Sequence, residues 1–160
     1  PAAEDPGPER AVLLDGIQDP GNAGTLVRAG RAFGVTRAIA LEGTVDLFNP
    51  KVVRASAGAL AHLPVHRLSW ARTAEWLKER GIPLLVGGAG GRDIRSVTPL
   101  SAWALAIGNE GAGVRDELRK AADEVVGIPM DPGVDSLNAG VAGAILMFGL
   151  NPISGPETEN

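Results

Sequence analysis

Six short apolar runs punctuate this chain, and turn residues or stretches of helical spacing separate them. Ala11-Val-Leu-Leu14, Arg37-Ala-Ile-Ala-Leu41, Pro64-Val-His-Arg-Leu68, Ile82-Pro-Leu-Leu-Val86, Trp103-Ala-Leu-Ala-Ile107 and Glu124-Val-Val-Gly-Ile128 have the length and composition of strands. Leu26, Val27, Gly30 and Phe33 recur at helical spacing over residues 23–33, and Gly34 supplies the residue type that ends a helix. Pro50 fits the first turn of a second helix running to residue 60, and Ser69 is placed to cap a third over 69–80. A fourth helix spans 115–122, and the most apolar covers 136–150. Strands alternating with helices predict an α/β fold with a mostly parallel sheet and helices on both faces.

At 160 residues and 44% hydrophobic, the chain suits one domain with a real core, expected over residues 10–150. Residues 1–9 and 151–160, rich in Pro, Gly and acidic groups, read as a tail or linker remnant and a flexible tail. No apolar run has membrane length, and the N-terminus lacks the basic and apolar regions of a signal peptide, so a cytoplasmic protein is expected. With no cysteine and two histidines, thiol chemistry drops out and no metal site is expected. Catalysis would fall to Arg, Asn, Glu, Ser or a cofactor. The net charge of −4 hides an asymmetry: residues 20–70 hold six basic and two acidic groups, whereas residues 81–160 hold five basic and ten acidic. The first segment could attract a polyanion, or its charges could simply be solvated.

Three polar blocks follow strands, the first two with glycine: Asn22-Ala-Gly-Thr-Leu-Val-Arg28, Gly108-Asn109-Glu110-Gly111 and Ser136-Leu137-Asn138. Ligands in open α/β sheets bind beyond the carboxyl ends of strands, so the three blocks can share a pocket. A dinucleotide fingerprint is missing after the first strand, and the run Gly87-Gly-Ala-Gly-Gly91 leads into Arg92-Asp93. Neither a phosphate loop nor a nucleophile elbow is present. Read as structure alone, Asn22 or Ser136 could be a helix N-cap, 108–111 a tight turn and 87–91 a flexible one. Trp70, Trp76 and Trp103 fit core packing better than base stacking, and His62 and His66 lie outside the blocks.

The stretch Leu14-Asp-Gly-Ile-Gln-Asp-Pro-Gly-Asn-Ala-Gly-Thr-Leu-Val-Arg28 resembles motif one of the SpoU/TrmH family of RNA ribose 2′-O-methyltransferases. Ile107-Gly-Asn-Glu-Gly-Ala-Gly-Val114 resembles motif two, and Ile128-Pro-Met with Asp135-Ser-Leu-Asn-Ala-Gly-Val-Ala-Gly-Ala-Ile145 resembles motif three. The resemblance spans residues 11–150. It implies a SPOUT-type fold with a deep C-terminal trefoil knot, S-adenosyl-L-methionine as cofactor, RNA as substrate and a homodimer. It also implies catalytic roles for Arg28, Asn22, Glu110, Ser136 and Asn138, with Arg28 as base or as the group that orients the ribose. The cofactor would be held by Gly88, Ile107, Gly108, Asn109, Gly111, Ile128, Met130, Ser136, Leu137 and Asn138, and RNA by Arg28, Arg31 and Arg54. Lys51 to Val65 and the Asn-x-Gly form of motif one are more similar to the ribosomal-RNA branch than to the tRNA branch.

This chain departs from the family pattern at Ala139-Gly140, where many relatives carry Val-Ser. The departure leaves a second reading open, a non-catalytic RNA-binding or assembly module that keeps the fold. The final apolar helix is read mostly as core, with some positions as a dimer face.

Overall fold

A computed structural model describes residues 7–151. All six predicted strands form: β1 (Arg10–Asp15), β2 (Arg37–Ala40), β3 (Val65–Arg67), β4 (Leu84–Asp93), β5 (Trp103–Gly108) and β6 (Glu124–Gly127). They make one sheet in the order β3-β2-β1-β5-β4-β6, with every pair parallel. Five helices connect or follow them: α1 (Pro20–Ala32), α2 (Pro50–Ala55), α3 (Trp70–Arg80), α4 (Asp116–Ala121) and α5 (Ala139–Leu150).

Alternate strand residues divide the core into two layers, as a sheet covered on both sides requires. Val12, Leu14, Leu105 and Ile107 pack on one face with Leu26 and Val27 of α1 and Leu146, Met147 and Leu150 of α5. Leu13, Ile39, Val86 and Ala106 pack on the other with Leu77 of α3 and Leu118 of α4. Trp103 is fully buried, and Trp70 and Trp76 lie half-buried against the α3 side. No helix among the described residues is long and apolar enough to cross a membrane.

Helix ends differ from the sequence reading for local reasons. α1 starts at Pro20 because the Asp19 side chain accepts the Asn22 backbone N–H, so Asn22 lies inside the first turn and is not the cap. The helix expected over 50–60 breaks where Ala57 and Gly58 both take positive φ, leaving α2 and a short 3₁₀ turn, Ala59–Ala61. α5 begins three residues late: Asn138, not Ser136, caps it by accepting the Val141 N–H.

The glycine run expected as a turn is instead part of β4. Gly87 and Arg92 both pair with Val126, and residues 88–91 form an excursion between them. A side chain on Gly91 would come within 2.7 Å of the Val126 backbone, so only glycine lets this excursion lie so closely along β6. From β6, at one edge of the sheet, residues 128–138 lead back to α5, whose Leu146 packs beside Gly87 and Ile107. Most of both expected tails, residues 1–6 and 152–160, lies outside the described residues. Glu9 is already anchored, with its carboxylate on Arg37 and Thr36.

Candidate active site

The carboxyl ends of β4, β5 and β6 lie side by side, and a cavity of about 570 Å³ opens over them. Gly88 reaches it from β4, and Ile107 and Gly108 from β5. Asn109, Glu110 and Gly111 enter on the turn after β5. Ile128, Met130, Ser136, Leu137 and Asn138 line it from the return segment. Motifs two and three thus meet in one space although α4 and β6 separate them in sequence, because β5 and β6 flank β4.

The turn after β5 is built from its own polar groups. Asn109 Nδ2 donates to the Gly16 carbonyl at 2.9 Å, while its Oδ1 accepts the N–H groups of Gly111 and Ala112 at 2.9 and 3.1 Å. Gly108 has to be glycine for the chain's own sake, since a side chain there would run into the backbone of Gly113 and Val114.

Two contacts tie this region to the end of β1 and the first turn of α1. Asn22 Nδ2 donates to Glu110 Oε1 at 2.8 Å, which joins motif one to motif two across 88 residues of sequence. Asp15, only 3% exposed, accepts the Arg115 backbone N–H at 2.8 Å and the Arg115 Nε at 2.7 Å. Arg115 also pairs with the Glu42 carboxylate at 3.0 Å and donates to its carbonyl at 3.2 Å. The ends of β1 and β2 and the turn after β5 are thereby clamped together. Burial opposes charge on Arg115, but its hydrogen bonds and attraction to Asp15, then to Glu42, outweigh this and hold the guanidinium above its ordinary value. Partial burial likewise works against the Glu42 carboxylate, yet backbone N–H groups and Arg115 lower its pKa.

Other sequence-named residues fall outside the cavity. Arg28 and Arg31 are exposed on α1 and Arg54 on α2; none makes a side-chain hydrogen bond or ion pair among the described residues, and none lines the cavity. His62 and His66 are exposed and equally remote from the lining. Ala139 lines the cavity but Gly140 does not: a side chain at 140 would meet Thr25 of α1. Half of the departure from the family pattern therefore faces a helix interface. Among the described residues no group of three His, Asp or Glu could hold a metal ion.

A sequence model of the SpoU rRNA Methylase family matches residues 9–148. The chain belongs to that family. It is 36% identical over 143 residues to the Bacillus subtilis 23S rRNA (guanosine(2553)-2′-O)-methyltransferase RlmP, covering 88% of this chain and 57% of that protein. The AdoMet-bound rRNA methyltransferase of Sinorhizobium meliloti superposes with a TM-score of 0.84 at 32% identity, covering 90% of this chain and 56% of that one. The SpoU methyltransferase AviRb of Streptomyces viridochromogenes, in complex with AdoMet, gives 0.85 at 29% identity, with coverage of 92% and 61%. The chain thus spans little more than half the length of these relatives.

Within the SpoU domain, the sequence reading missed two arginines. Arg115, which precedes α4, clamps Asp15, and Arg119 within α4 lines the cavity. The available signal was position: both follow motif two within eight residues of Gly111.

Proposed function

We propose that this chain is the catalytic domain of an RNA ribose 2′-O-methyltransferase that uses S-adenosyl-L-methionine, with ribosomal RNA favoured over tRNA as substrate. The observation that carries the reading is the meeting of motifs two and three in one cavity, with Asn22 of motif one bonded to Glu110 at its rim. The cavity's volume of about 570 Å³ suits a ligand of nucleoside size. Its walls offer glycine backbone from three strand ends for hydrogen bonds to adenine, and Ile107, Ile128 and Leu137 for apolar contact. When bound, the cofactor supplies an electrophilic methyl group on sulfur.

The chain's own residues then have to align a ribose hydroxyl and relieve it of a proton. Arg28, without a side-chain partner among the described residues, would grip the ribose and its phosphate; the planar guanidinium serves better as a clamp than as a base. Glu110 has one oxygen anchored by Asn22, and its other oxygen has no partner among the described residues, so it is free to hold the hydroxyl's hydrogen bond. Ser136 and Asn138 would border the methyl group. α1 and α2 together present Arg28, Arg31, Lys51 and Arg54, exposed and without side-chain partners among the described residues, as the surface for RNA. Such an enzyme belongs in the cytoplasm.

We also read the domain as a knotted homodimer. The return from edge strand β6 across the strand ends to α5 is the path on which a trefoil crossing would lie. On α5, Val141, Ile145 and Phe148 are exposed at a spacing that makes one apolar stripe, extended by the edge-on packing of Phe148 against Phe33 at 5.5 Å. Ile145→Glu should convert a dimer into a monomer in light-scattering measurements.

The function is tested by Arg28→Ala. Calorimetry should find S-adenosylmethionine binding intact while methyl transfer to ribosomal RNA disappears. Near-normal transfer would remove Arg28 from the mechanism, and a folded wild-type protein that binds no S-adenosylmethionine would overturn the enzyme reading altogether.

A further inference from the structure

We propose that Arg119 binds the carboxylate of the cofactor's amino-acid tail, an inference that rests on the S-adenosylmethionine reading above. Arg119 belongs to α4, outside all three motifs. Its Nε donates to the Val114 carbonyl at 3.1 Å, which turns the guanidinium back over the turn after β5. There it fills the space beside two glycines. A methyl group built on Gly113 would come within 3.3 Å of Arg119 Nη2, and one built on Gly88 within 3.5 Å of Nη2 and 3.6 Å of Nη1. The guanidinium therefore bridges the β4 excursion and the turn after β5, at the wall of the cavity.

Nη1 and Nη2 have no hydrogen-bond or ion-pair partner among the described residues, and Arg119 is the cavity's one cation among them. Two carboxylates also line the cavity, Glu110, engaged by Asn22, and Asp135. A cationic fork with both outer nitrogens free matches a carboxylate in two parallel hydrogen bonds. Within S-adenosylmethionine only the tail carboxylate is anionic; the sulfonium and the ammonium would be repelled, and adenine and ribose are neutral. With glycine at 88 and 113, no side chain from these two positions stands beside the fork.

Calorimetry on the purified chain, without RNA, tests this with S-adenosylhomocysteine and its decarboxylated analogue. Wild type should bind the carboxylate-bearing ligand at least about tenfold more tightly, the scale of a hydrogen-bonded charge. Arg119→Gln should erase that preference by weakening S-adenosylhomocysteine alone, and Arg119→Lys should restore part of it. Equal binding of both ligands by wild type overturns the proposal without any variant. So does equal weakening of both by Arg119→Gln, which would make the residue a packing element. Unchanged affinity in Arg119→Gln does too, and would reassign the cation to RNA phosphate. Failure of wild type to bind either ligand would instead sink the cofactor reading and take this inference with it.

Discussion

Replacing Arg115 with alanine should lower the melting temperature of the domain by about 4–12 °C. The substitution removes two contacts to a carboxylate that is 3% exposed, Nε at 2.7 Å and Nη2 at 2.6 Å, and leaves only the backbone N–H at 2.8 Å. Breaking a buried ion pair from one side costs about 3–5 kcal/mol because the remaining charge is stranded. Here the arginine side chain is 29% exposed and one hydrogen bond survives, so solvent screening brings the cost below that range, to about 2–3 kcal/mol. For a domain of this size each kcal/mol shifts the midpoint by about 2–4 °C. Circular dichroism or the fluorescence of buried Trp103 would follow the transition. A paired Asp15→Asn, Arg115→Met variant strands no charge and should recover about half of the loss. The reasoning fails if Arg115→Ala melts within about a degree of wild type, or if the paired variant is less stable than the single one.

Acid should act partly through Glu9. Burial resists its charge, but hydrogen bonds from Thr36 and Arg37 and the attraction of Arg37 and Arg80 win and lower its pKa below 4.5. Its contribution is complete above pH 4.5 and is lost as pH falls through the lowered folded value, so urea midpoints of Glu9→Gln should decline less than wild type over that window. Gly140→Ser, which restores the commoner family residue, should cost about 1–3 kcal/mol by overpacking, since its Cβ would lie 2.9 Å from Thr25 Cγ2. Adding Thr25→Ala should restore most of that in denaturant titrations; no rescue would place the strain elsewhere. Asn22→Ala frees Glu110 from its 2.8 Å contact and should reduce methyl transfer by about a hundredfold, the effect of misplacing a positioned group. S-adenosylhomocysteine affinity measured by calorimetry should change little, and a large loss there would assign Asn22 to cofactor binding.

Local chemistry made most of the elements legible. The six apolar runs became the six strands, most of them covered on both faces, Gly34 ends α1 by taking a positive φ, and the Ser69 hydroxyl caps α3. Strand order was another matter, because apolar runs carry no label naming their neighbours, and β1 pairs with β5 across more than half the chain. The extension of β4 through its glycines was hidden for a related reason: those glycines answer to Val126 and Gly127, which lie far along the sequence. Ser136 reads as the cap of the last helix from its residue type, but the path of the return segment gives that place to Asn138. The motifs were legible as a set; the burial of Asp15 at the start of motif one was not, since its partner Arg115 sits in a segment of ordinary surface composition.

The order of strands also sets a timetable. As the chain emerges during synthesis, β1, β2 and β3 can pair almost at once, because Ala11 meets Arg37 and Ala38 meets Val65. The other half has to wait: β4 lies between β5 and β6, both made after it, and β5 must reach back to β1. Closing such long loops is slow. The half of the sheet that bears the cavity is therefore the last to assemble, and the nascent protein exposes an unpaired β1 edge until residue 108 has left the ribosome.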